Sequence, residues 1–152
     1  MRKHSYLVFG FFLLIFSVVL SGQTNSGDTK TGPAIQVQLN YSGSGQVDEN
    51  HKIVVALWDS PDFIEGKGMP VAIKSATSKD GTVTFSDVQA GAIYVSSAYD
   101  PSGKWDGQSG PPPSGSSLGM YSKTPGKPEP VNAAKGETVK IQLSFDDSVK
   151  MP

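Results

Sequence analysis

The segment AIQVQLNY, Ala34 to Tyr41, sets Ile35, Val37, Leu39 and Tyr41 in strict alternation with Gln36, Gln38 and Asn40. A period of two sends successive side chains to opposite faces, so this segment reads as a strand with one dry and one wet side. The rhythm returns at Ile93, Val95, Ser97 and Tyr99, and again at Val139, Ile141, Leu143 and Phe145, which alternate with Lys140, Gln142 and Ser144. Between them, Ile53-Val54-Val55-Ala56-Leu57-Trp58 is apolar on both faces, as a central strand covered from each side would be, and places Trp58 in the core. Pro70 to Ala76, Thr82 to Phe85 and Leu118 to Ser122 are shorter strand candidates. The Asp80-Gly81 pair suits a tight hairpin between the first two of these.

Turn formers close each segment: Ser42-Gly43-Ser44-Gly45, Asp59-Ser60-Pro61-Asp62 and Asp100-Pro101-Ser102-Gly103. Gly110 to Pro130 is rich in proline with little periodicity, so it reads as loop around the weak 118–122 strand. No apolar stripe at helical spacing follows residue 22. Short strands with frequent turns predict an all-β fold, a single antiparallel β-sandwich.

The first 22 residues have the build of a signal peptide. Arg2, Lys3 and His4 precede an apolar run from Tyr6 to Leu20, shorter than the roughly 20 residues a spanning helix needs. Gln23 stands where a lipoprotein signal would carry cysteine, which excludes a thioether anchor. The expected organisation is signal peptide 1–22, flexible tether 23–33 (QTNSGDTKTGP) and sandwich 34–152. The mature chain is then secreted or periplasmic and free of the membrane.

Beyond residue 22 the chain has no cysteine, no arginine and one histidine, His51. Disulfides are excluded, so stability must come from buried apolar area. Losing Arg2 and Lys3 leaves 11 basic groups against 14 acids, a formal charge of −3, which argues against a nucleic-acid partner. A lone histidine makes a poor zinc site, and no G-x-S-x-G elbow presents a serine nucleophile. Asp146 and Asp147 are neighbours, so on a strand they would face opposite ways and serve to end it in water.

The stretch FSDVQAGAIYVSSAYDPSGKWDG, Phe85 to Gly107, resembles the secreted transthyretin-like sandwiches, which include the regulatory-domain-like modules of carboxypeptidases and a bacterial group. Phe85, Val88, Gly91, Val95 and Asp100 fall in place, whereas Ile93 stands at a position where that pattern often has tyrosine and Tyr99 where the bacterial group often has histidine. The segment VVALWDSPDFIEG, Val54 to Gly66, is similar to that group's opening strand and loop. The resemblance implies a seven-stranded prealbumin-like fold and no reaction. The enzymatic branch of these proteins relies on an arginine and a C-terminal motif that this chain, ending FDDSVKMP, does not carry.

Two candidate sites follow. Asp100, Ser102 and Asp106 place oxygens at loop positions one, three and seven, a spacing that can wrap calcium; an Asx turn built on Asp100 is the simpler reading. Trp105, with Tyr99 or Tyr121, can offer a flat face to a sugar ring or a peptide. These features describe a non-catalytic binding or accessory module that needs no cofactor and meets a protein or carbohydrate ligand on the 100–121 loop. The alternatives are a structural envelope protein contacting other proteins, and a carboxylate-dependent glycoside hydrolase with two acids about 5–10 Å apart in a cleft.

Overall fold

The computed structural model describes residues 32–89 and 91–152, so the expected signal peptide, 1–22, and most of the expected tether, 23–33, lie outside the described residues. Eight strands follow in order: β1 Ala34–Tyr41, β2 Ile53–Trp58, β3 Ala72–Ala76, β4 Thr82–Phe85, β5 Gly91–Tyr99, β6 Ser117–Met120, β7 Val131–Ala133 and β8 Thr138–Phe145. The helical element among the described residues is a 3-10 turn, Pro61–Glu65, capped by Ser60 Oγ, which accepts from the Asp62 amide. No helix among the described residues is long and apolar enough to cross a membrane.

The strands form two sheets, one ordered β4-β1-β8 and the other β3-β2-β5-β6 with β7 also on β5. The alternating residues behave as read. Ile35, Val37, Leu39 and Tyr41 meet Ile53, Val55 and Leu57 from the facing sheet, with Ile93, Val95, Ile141 and Leu143, in one buried cluster. At about 25 cal/mol per Å² of apolar area withdrawn from water, this interior is the main source of stability in a chain without cross-links.

Three expectations need correction. The sandwich is not wholly antiparallel, because β1 and β8 run parallel in unbroken register from Ala34↔Thr138 to Tyr41↔Phe145. Asp80-Gly81 is not a hairpin: β3 pairs with β2 while β4 pairs with β1, so the turn carries the chain from one sheet to the other. The Lys79 and Gly81 carbonyls then accept from the Tyr41 and Leu39 amides and prolong the β4 edge. There are eight strands rather than seven, because the edge strand on β5 is interrupted. β6 pairs with Ser96 to Tyr99 and β7 with Gly91 to Ile93 in the same direction, and residues 122–130 loop out between them.

The two lateral seams are closed differently. On one side the C-terminal tail leaves β8 and zips along β6: Leu118 N–H donates to Val149 O and Met151 N–H to Ser116 O. On the other side Lys74 of β3 bridges the sheets by donating to Thr84 O of β4 at 2.6 Å, while Lys79 ties the turn to the end of β1 by donating to Gly43 O, also at 2.6 Å. Residues Gly32 and Pro33 of the expected tether are docked, Gly32 N–H on the Asp87 carboxylate at 2.9 Å and Pro33 O on the Val88 amide.

Candidate functional site

β2 and β5 carry two faces of different character. Ile53, Val55 and Leu57 enter the core, while Val54, Ala56 and Trp58 look outward, opposite Ala98, Ser96 and Tyr94 of β5. Val54, Ala56 and Ala98 are buried nonetheless, and the loop from Pro101 to Ser116 reaches this face at Val54. Gly107 is its contact point. A Cβ there would sit 2.6 Å from Val54 Cγ1, and φ is +83°, so both space and backbone call for glycine.

Asp100 anchors that loop. Its carboxylate is 4% exposed and accepts from the Ser102 amide and hydroxyl, the Lys104 amide and the Trp105 amide. Burial works to raise its pKa, but the bonds from Ser102, then Trp105 and Lys104, outweigh it and hold the group below the usual carboxylate range. The Asx turn is therefore present. Asp106 makes a separate turn, one oxygen accepting from the Gln108 and Ser109 amides and the Ser109 hydroxyl. A calcium ion held by Asp100, Ser102 and Asp106 would have to displace donors on both sides.

The three aromatic residues expected to form one platform are not equivalent. Tyr99 is 3% exposed, tilted on Tyr41 with ring centroids 5.0 Å apart, and its hydroxyl donates to Gln46 O, so its ring belongs to the core. Tyr121 is half-buried against the same core. Trp105 alone lies in the outer loop, half-buried, with Nε1 donating to Gly110 O at 3.2 Å. Trp58 is also misplaced by its sequence: it lies on the outer face, half-buried, stacked on Phe63 at 5.2 Å and 18°, with Nε1 donating to Ser96 Oγ. It is the last residue of β2, four positions beyond Val54, where Gly107 of the outer loop makes its contact.

The far end of this face is therefore an aromatic corner. Trp58 stacks on Phe63 and lies opposite Tyr94 in the strand register, and Ile64 (54%), Met69 (76%) and Val71 (50%) are exposed in the segment between β2 and β3 that carries Phe63. An open cleft of about 400 Å³ lies between the 3-10 turn and the 122–130 loop, lined by Pro61, Asp62, Tyr94, Lys127, Glu129 and Pro130 among others. No single residue of this corner announced it in the sequence; what brings it together is the excursion of 122–130 from the edge strand, whose base is closed by Glu129 N–H donating to Tyr121 O.

Asp147 contradicts its expected role as a solvated strand end. It accepts from the Tyr41 hydroxyl at 2.6 Å, the Ser117 hydroxyl at 2.7 Å, and the Ser44 amide and hydroxyl, each at 2.9 Å. The Tyr41 bond first, then Ser117 and the Ser44 amide, hold it far below the usual carboxylate range. It is a tie between the sheets. His51 sits in a turn with Nδ1 3.0 Å from the Asp48 carboxylate. No group of three or more histidines, cysteines and carboxylates converges on a point among the described residues.

Comparison with known protein families, curated proteins and solved structures finds no match.

Proposed function

We propose that this chain is an exported, non-catalytic binding or accessory module of transthyretin-like build. Its contact surface is the outer face of the five-stranded sheet, from the Trp105 loop across to the Trp58–Phe63 corner. The observation that carries this reading is the concentration of uncovered apolar side chains: Ile64, Met69 and Val71 are exposed within one eight-residue stretch beside a half-buried aromatic stack. Single exposed hydrophobics are ordinary on a surface, whereas three in one short segment that also carries an aromatic stack favour a contact site. Binding is favoured over glycoside hydrolysis because Asp62 and Glu65 are exposed in their cleft and Glu129 is only half-buried, whereas hydrolysis by a carboxyl pair relies on a desolvated acid.

The test is a titration of the purified protein with soluble glycans and with extended peptides, following the emission of Trp58 and Trp105. A change in emission that Trp58→Ala abolishes supports the reading. Silence with both classes removes it. Met69 favours a second reading, a structural envelope protein whose patch is covered by another protein: at 76% it is the most exposed large apolar side chain among the described residues. Photo-cross-linking from position 69 in intact cells yields a discrete adduct on that reading and none on the first.

A further inference from the structure

Among the described residues, Asp48, Asp87, Asp100, Asp106, Glu137, Asp146 and Asp147 each accept backbone amides of the loops that carry or meet them. The corner cleft instead gathers several polar groups that are not committed in this way. The carboxylates of Asp62 and Glu129, the ammonium of Lys127 and the hydroxyl of Tyr94 line one opening and have no hydrogen-bond or ion-pair partner among the described residues. Glu65, on the same rim, is paired with Lys67 at 2.6 Å.

Directional polar groups left uncommitted around an apolar floor are the makings of a small-ligand site, and about 400 Å³ lies at the lower end of the range such sites occupy. The apolar lining is Tyr94, a flat aromatic ring, with the stiff pyrrolidine rings of Pro61 and Pro130. A ligand that fits must have an apolar face for that floor and hydroxyls around its edge, donating to Asp62 and Glu129 and accepting from Lys127. A pyranose ring has that form: axial C–H groups on one face and equatorial hydroxyls on the rim. An apolar peptide side chain would leave the rim groups unused, at the cost of burying them without partners.

We propose that the cleft between the 3-10 turn and the 122–130 loop binds a single pyranose unit of a glycan on Tyr94. The proposal rests on the binding-module reading and names the ligand class for it.

The experiment is an amide-resolved NMR titration of the purified protein with maltotetraose, cellotetraose and chitotetraose, and with a lysine-rich extended peptide in parallel. At least one glycan is expected to shift the amides of Ile64, Tyr94 and Glu129 saturably. Tyr94→Ala should then weaken binding by about tenfold or more, Tyr94→Phe by only a fewfold, and Asp62→Asn or Glu129→Gln by roughly three- to tenfold each. Tyr94→Phe keeps the ring, so it remains informative should Tyr94→Ala fail to fold. Glycan binding that leaves these amides unmoved, or that is indifferent to every one of these variants, overturns the assignment. Binding of the peptide without any glycan also overturns it while leaving the binding-module reading intact; no response to either class sinks both.

Discussion

The phenol of Tyr41, on β1, donates to the carboxylate of Asp147, 106 residues further along the chain, at 2.6 Å. Tyr41 is 3% exposed and its ring also packs on Tyr99 and Phe145. The same carboxylate takes the Ser117 hydroxyl, which is 1% exposed and lies in the other sheet. One anion thus joins β1, β6 and the crossing to the C-terminal tail.

Asp147→Ala leaves two buried hydroxyls without their acceptor and is expected to destabilise the fold by roughly 2–4 kcal/mol, with Asp147→Asn costing less. Denaturant unfolding measures it, and a change below about 0.5 kcal/mol would mean that the network contributes nothing net. The pH dependence has a definite sign. A carboxyl held low in the folded state binds protons more readily when unfolded, so its contribution is whole above about pH 4 and drains away as the pH falls through the folded value. Stability of the native protein should therefore drop more steeply on acidification below pH 4 than that of Asp147→Asn.

At the alkaline end Tyr41 is pushed up to about 12, by burial first and then by the Asp147 bond. Burial first, with the charges of Asp48, Asp147 and Asp100, raises Tyr99 as well. Spectrophotometric titration should show these two phenols ionising late. The folded state holds these protons more tightly than the unfolded one, so stability is lost as the pH rises from about 10 towards 12. Tyr41→Phe should flatten that loss.

Gly107→Ala forces a methyl onto Val54 at a backbone angle unfavourable to alanine, which should cost about 1–3 kcal/mol. Because Gly107 seats the outer loop, Trp105 emission should shift to the red with little change at the Trp58 corner. Unchanged emission would place the loop's anchor elsewhere. Asp100→Asn should loosen the same loop, seen as faster proteolysis between residues 101 and 110.

Ser97 and Gly119 give opposite outcomes at one spot. The Ser97 hydroxyl is buried and has no partner among the described residues, so Ser97→Ala should be neutral or stabilising by up to about 1 kcal/mol. Gly119→Ala would put a Cβ 2.6 Å from both Ser97 Oγ and Phe145 Cβ and should destabilise by about 1–3 kcal/mol. Paired melting curves decide both.

How much of this was legible follows from what alternation encodes. A period of two tells which side chains are buried, and Ile35, Val37, Leu39, Ile141 and Leu143 are where it puts them. It does not tell which strand lies alongside, so the parallel β1–β8 pair and the sheet change at Asp80-Gly81 were invisible. Val131–Ala133 was too short to show a period, standing after a proline-rich excursion that hides its continuity with β6. At the site, the Asp100 turn was readable because its partners are two to five residues away. The Asp147 tie and the Tyr94 cleft depend on contacts across the fold and left no local trace.

The tail lying along β6 has a consequence for crowding. A bare strand rim is a template on which identical chains can stack into fibrils, and here that rim is already occupied by Val149–Met151. On the opposite flank β3 begins after a proline and carries Lys74, whose charge would be costly to trap between stacked copies. Rim addition to the five-stranded sheet is thus obstructed at β6 and at β3, and deleting residues 149–152 should raise the tendency to form thioflavin-positive aggregates.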